Sequence, residues 1–288
     1  MSEVIVPKSR GGPMAGIKRD HQGREKHEAK SAARDKPRNA YTSMFESFRD
    51  ELEESQARRM KIGTVSRDVT ALSKKIIFSL QRVRDLGKPI PERIQAEVDQ
   101  RLHEIAKLLA TIEPDLSGMN RYRYPPMCLE ELVEALSFAH YLRHQALITP
   151  AQAQDAMPVA GIPLTAADYV FGVFDLTGEM MRFATAVTAL AGAVPTGEGS
   201  QGRGTPTAAA DDDEKRTIVN DMQEVSSMFH ICPPVGGKPS NYAKKMDVMV
   251  EQVLKVERLG YGVTVRGTER PKGWMPDLKE PQRDGDVE

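Results

Sequence analysis

Two stretches of this chain place carboxylates at helical spacing. In the first, residues 129–136, Glu131 and Glu134 stand three apart, so a helix would carry both side chains on one face. Such a pair alone also fits a solvated stripe, because charged side chains mostly sit in water. The second stretch is more telling. Between Tyr169 and Ala191 the only charged residues are Asp175, Glu179 and Arg182, set among Phe171, Phe174, Met180, Met181, Phe183, Val187 and Leu190. A helix that is apolar nearly all round is a buried one. Carboxylates inside it are costly unless they are paired or bind a metal. Asp168, Gly172, Asp175, Glu179 and Arg182 recur at spacings of four, three, four and three, a single acidic seam interrupted by a glycine. Arg182 can neutralise Glu179 by simple pairing, which leaves Asp175 unexplained.

If the two helices pack side by side, Glu131, Glu134, Asp175 and Glu179 converge. An all-oxygen donor set suits a hard cation, magnesium or else manganese, rather than zinc. A cation so held can activate water and stabilise charge on a phosphodiester. The di-iron bundles use Glu-x-x-His, and no glutamate here has a histidine three residues on. The all-helical nucleotide pyrophosphatases pair Glu-x-x-Glu with Glu-x-x-Asp. Here the second element is Asp-x-x-x-Glu, a partial likeness that keeps that activity as a distant alternative. P-loop, nucleophile-elbow and dinucleotide fingerprints are absent from the sequence.

The elements that must position these acids follow from apolar periodicity. Phe45, Phe48 and Leu52, then Ile62, Val65, Val69, Leu72, Ile76, Leu80 and Val83, predict one long helix over about 42–86. Gly87 and Pro89 end it. Pro91 opens a second helix, with Ile94, Val98, Leu102, Ile105, Leu109 and Ile112 inward and Pro114 closing it. The short link predicts antiparallel packing. The third helix, about 128–147, carries the first acid pair. The fourth runs from an N-cap at Thr165 to about Ala191 and carries the second. Two more are expected over about 212–229 and 241–259, separated by the prolines and glycines of 233–237. With no β-α alternation and no period-two strand, the fold class is all-α.

The chain has 288 residues, 40% apolar and 28% charged, which fits one helical domain with tails. Residues 1–40 are basic and poor in apolar side chains and are expected to form a disordered arm, in which Lys18-Arg19 and residues 24–30 resemble a nuclear import signal or an electrostatic tether. A solvated tail without a partner reads equally well from that composition. Residues 192–216 are expected to be a low-complexity loop and 271–288 a tail. The formal net charge of -1 excludes a global positive field. Along the first helix, however, Arg58, Arg59, Lys61, Arg67, Lys74 and Lys75 form a basic side that can track RNA phosphates or merely be solvated. Tyr122 and Tyr124, between Arg121 and Arg123, can stack on bases or cap the helices. Cys128 and Cys232 lie too far apart in sequence for a redox pair or zinc site, which points to a reducing compartment. The most apolar run, 183–194, is too short to span a bilayer, so neither a secreted nor a membrane protein is expected.

Residues 132–138, residues 165–169, and Asp175-Leu176-Thr177-Gly178-Glu179-Met180-Met181-Arg182 after Gly172-Val173-Phe174 resemble the translin family, its TRAX branch above all. Residues 66–75, 255–257 and 265–267 are similar to it too, so the resemblance covers about 41–270. It implies a seven-helix α-bundle that joins translin in a hetero-oligomeric, octamer-like hollow shell, with the TRAX-type subunit catalytic. It also implies magnesium-dependent endoribonuclease action on single-stranded RNA, such as passenger-strand fragments in RNA silencing and fragments from tRNA processing, with DNA as a further nucleic-acid partner. The family's acidic residues carry over onto Glu131, Glu134, Asp175 and Glu179, and the implied location is cytoplasm and nucleus. A translin-binding RNA scaffold that cleaves nothing is the alternative from another class.

Overall fold

A computed structural model of the chain describes residues 39–197, 216–235 and 239–266. The expected basic arm up to residue 38, most of the expected loop (198–215) and the expected tail lie outside the described residues. Eight α-helices are present among the described residues: α1 (Thr42–Leu80), α2 (Glu92–Ile112), α3 (Asn120–Arg123), α4 (Cys128–His144), α5 (Pro150–Asp155), α6 (Ala166–Ala191), α7 (Ile218–Ile231) and α8 (Pro239–Arg266). Six are long; α3 and α5 are short connectors. The all-α expectation therefore holds, and the described residues contain no strand, only an isolated bridge between Thr196 and Thr217. No described helix is long and apolar enough to cross a membrane.

The chain divides into two compact units, residues 1–56 and 57–288. In the first, Asn39 caps the start of α1 by accepting from Tyr41 N and the Thr42 hydroxyl. Tyr41, Phe45, Phe48 and Leu52 are exposed there.

In the second unit, the later part of α1 and α2 run antiparallel, as the short link predicts. Ser79 and Arg82 meet Glu97 near the start of α2, whereas Lys61 meets Asp115 beyond its end at 2.7 Å. The first helix stops at Leu80 rather than near Leu86, although Val83 and Leu86 are still buried. Three-residue turns, Arg82 N to Ser79 O and Val83 N to Leu80 O, tighten the chain there. Gly87 then takes a positive φ of 72° and donates its N–H to Leu142 O, so apolar burial continues where helical bonding does not. The third core helix, α4, ends at His144 instead of about 147 because Gln145 turns left-handed (φ 47°) and sends its side chain to Arg216 O and Asp221. α7 begins at Ile218 rather than 212, and α8 extends to Arg266, taking in residues 263–265.

The packing that matters is α4 on α6, with α8 also packed on α6 and α7 against α8. α6 starts where the sequence placed its cap. Thr165 Oγ1 accepts from Asp168 N, and Asp168 Oδ2 accepts from Thr165 N at 2.7 Å, a capping box. Phe174 stacks on Phe229 with ring centroids 4.1 Å apart and meets Tyr242 edge-on, joining α6, α7 and α8. Ile105, Leu109, Leu129, Leu132 and Phe138 are among the residues wholly removed from solvent.

Candidate active site

The crossing of α4 and α6 is set by Gly172. A Cβ at that position would lie 2.6 Å from Val133 Cγ1 and 2.9 Å from the Glu130 carbonyl oxygen. Only a bare Cα lets α6 approach α4 this closely, and the contact falls on the turn of α4 that carries Glu131 and Glu134 and one turn before Asp175 on α6. The four acids picked out in the sequence come together at this crossing. Glu134 is 9% exposed and Glu179 7%, while Glu131 and Asp175 are half-buried.

Glu134 is the centre of the group. Burial, then the negative charges of Asp175, Glu131 and Glu179, push its carboxyl up to about 8, and Lys245 opposes them only in part. The other three have partners. Glu131 faces Lys74 of α1 at 3.3 Å. Asp175 accepts from Lys245 of α8 at 2.5 Å. Glu179 accepts from Gln81 Nε2 at 2.7 Å and faces Arg182 at 3.5 Å, the pairing that the sequence left open. Arg182 is mostly exposed, so that pair is weak.

Glu130 is a fifth acid of this cluster that sequence reasoning passed over. It too is raised, first by burial and then by Asp175, Asp168 and Glu131, against Lys245. Lys245 and Gln81 were likewise missed. Lys245 is an ordinary member of a Lys-Lys pair in the sequence, and Gln81 lies just past a helix end; neither position carries a local signal. Asp168, by contrast, belongs to the cap and not to the acidic site, since the buried Arg121 guanidinium pairs with it and also donates to Pro163 O.

A divalent cation fits this group by donor type and by charge, because the site holds a buried carboxylate that its lysines do not balance. As the side chains stand, with three acids turned to Lys74, Lys245, Gln81 and Arg182, no three His, Cys, Asp or Glu side chains among the described residues form a metal-holding group.

The basic side of α1 is divided among different tasks. Arg58 and Lys61 lie on Asp115, which their positive charges hold below the usual carboxylate range. Lys74 goes to Glu131 and Lys75 is exposed. Arg59 and Arg67 border a cavity that Arg123 and Tyr124 also line. Both cysteines are free thiols; Cys128 is buried, which pushes it up to about 11.

An all-helical fold with several carboxylates gathered inside a helix crossing defines a class of proteins rather than one activity. The translin family profile matches residues 57–267. The chain belongs to the translin family. It is 28% identical to translin-associated protein X of Rattus norvegicus over 296 residues, 93% of each chain. The Mus musculus protein of that name is 27% identical over the same span. A translin-associated protein X homolog of Schizosaccharomyces pombe is 33% identical over 145 residues, 48% of this chain and 59% of that protein.

Proposed function

We propose that this chain is the catalytic subunit of a translin-containing endoribonuclease that hydrolyses phosphodiesters in single-stranded RNA. The observation that carries the reading is Glu134, a buried carboxyl pushed to about 8 by Asp175, Glu131 and Glu179 at a helix crossing. A carboxyl perturbed by burial and by specific charged neighbours is a candidate for function. Glu131, Glu134, Asp175 and Glu179 would hold magnesium, or manganese in its place, which when bound supplies a stronger water nucleophile and a counter-charge for the phosphodiester. Lys245, Lys74 and Arg182 offset part of the acids' charge, and Gln81 fixes the orientation of Glu179. The name of the relatives supports association with translin in a hetero-oligomer, proposed here as a closed octameric shell. Passenger-strand and tRNA-processing fragments are the proposed RNA substrates, and cytoplasm and nucleus the proposed location.

The test uses the chain assembled with translin and a labelled single-stranded RNA. Glu134→Gln and Asp175→Asn should each leave assembly intact and lower cleavage by about a hundredfold or more, the scale of losing a group that acts in the transition state. EDTA should abolish activity and magnesium restore it. Unchanged cleavage in both variants would sink the proposal.

A second reading, an RNA scaffold that cleaves nothing, is favoured by the pairing of three of the four acids with cations and an amide as the side chains stand. Under that reading RNA processing is the same in EDTA as in magnesium.

A further inference from the structure

A cavity of about 510 Å³ opens between α1 and the segment that leads into α4, the helix that carries Glu131 and Glu134. Its walls are mostly apolar: Ile62, Tyr124, Pro125 and Met127 contribute much of the surface. Three exposed arginines, Arg59, Arg67 and Arg123, border it, with the Arg123 guanidinium 5.5 Å from the centre of the Tyr124 ring. Ser66 and Thr70 complete the lining. The Ser66 hydroxyl is itself buried, against the Cys128 thiol, whose upward shift it opposes.

The position of the cavity relative to the acids is set by two helices. Thr70 lies one helical turn before Lys74, the partner of Glu131, and Met127 lies one turn before Glu131 itself. At 1.5 Å per residue each step is about 6 Å, comparable with the spacing of successive phosphates along an RNA strand. An apolar slot of this volume, with guanidinium groups around it, matches the chemistry of a base with its flanking phosphates. Guanidinium planes stack on bases and their forks pair with phosphate oxygens.

We infer that this cavity holds one unstacked nucleobase of a single-stranded RNA, with its flanking phosphates on Arg59, Arg67 and Arg123. The bound base is one to a few nucleotides from the phosphodiester at Glu131, Glu134, Asp175 and Glu179. This deepens the proposed function and rests on it. The pocket fixes how far from a held base the strand is cut.

Gly63 lines the cavity, and a Cβ there would meet nothing within 4 Å, so larger side chains can enter the slot without displacing the fold. The experiment uses the full-length chain carrying Glu134→Gln, so that RNA is not consumed, and short fluorescent single-stranded RNA. Adding Gly63→Leu should weaken binding about tenfold, the worth of one stacked base, while Gly63→Ala stays within about twofold. RNA carrying a photoreactive 5-iodouridine should crosslink to the peptide that contains Tyr124 and Met127, a readout that stands even if Gly63→Leu fails to fold. Equal affinity of the Leu and Ala variants, with crosslinks elsewhere, would overturn the pocket while leaving the nuclease proposal standing. So would a change in oligomer mass with RNA affinity unaltered, which would mark the cavity as a protein-docking site. Absence of RNA binding by the Glu134→Gln chain itself would overturn the RNA reading and the pocket with it.

Discussion

Glu134 is held mainly as a neutral acid at pH 7 by its surroundings, and this has a measurable effect on the metal-free chain. In the unfolded chain its carboxyl ionises near 4.5, and in the folded chain near 8, facing Asp175, Glu131 and Glu179 with Lys245 as the opposing charge. Between those values the folded form binds more protons, so raising the pH favours unfolding through this group. Its penalty is absent below about pH 4, grows through the interval and levels off above about 8. Each tenfold difference in proton affinity between the folded and unfolded chain is worth about 1.4 kcal/mol. Glu134→Gln removes the ionisation altogether. Thermal unfolding in EDTA should therefore show the variant no less stable than its parent at pH 5 and more stable at pH 8.5. Parallel stability curves across that range would contradict the burial of an uncompensated carboxyl.

At the scale of elements, the site depends on how closely α6 lies on α4. Gly172→Ala would set a methyl group 2.6 Å from Val133 Cγ1 and 2.9 Å from Glu130 O, contacts that real structures do not tolerate. Helix propensity alone would make this substitution favourable, by about 1 kcal/mol. Overpacking outweighs it, and the expected outcome is a net loss of about 1–3 kcal/mol, read as a lower midpoint in urea. Adding Val133→Ala should recover part of the loss and not all, because the Cβ at 133, 2.7 Å away, and the carbonyl of Glu130 stay in place. Since Glu131 and Glu134 flank this contact on α4, the proposed RNA cleavage should fall along with stability.

Across the whole molecule, one buried network ties the end of α4 to the start of α7. Asp221 is almost fully buried, accepts from Tyr141 Oη at 2.7 Å and from Gln145 Nε2 at 2.9 Å, and pairs with Arg216. Asp221→Ala would strand the buried Tyr141 hydroxyl, at about 1–3 kcal/mol, whereas Arg216 keeps Glu224 as a partner. The unfolding midpoint should drop by on the order of 5–10 °C, and Asp221→Asn, which keeps an acceptor for Tyr141, should lose less. This network was not legible in the sequence, where Asp221 sits among ordinary polar residues of a helix start. Local features were. Apolar periodicity located the helices, Thr165 announced the α6 cap, and charge within an apolar helix singled out Asp175 and Glu179, because periodicity, capping and burial each act over a few residues. Helix ends at Leu80 and His144 were misjudged because burial of Val83 and Leu86 and the left-handed turn at Gln145 answer to distant partners. By itself, the sequence determined an all-helical chain and four acids worth suspecting. Only the tertiary structure decided that Glu131 and Glu134 share a site with Asp175 and Glu179, that Lys245, Gln81 and Glu130 join them, and that Asp168 does not. Those are distances between helices far apart in the chain, and no spacing within one helix encodes them.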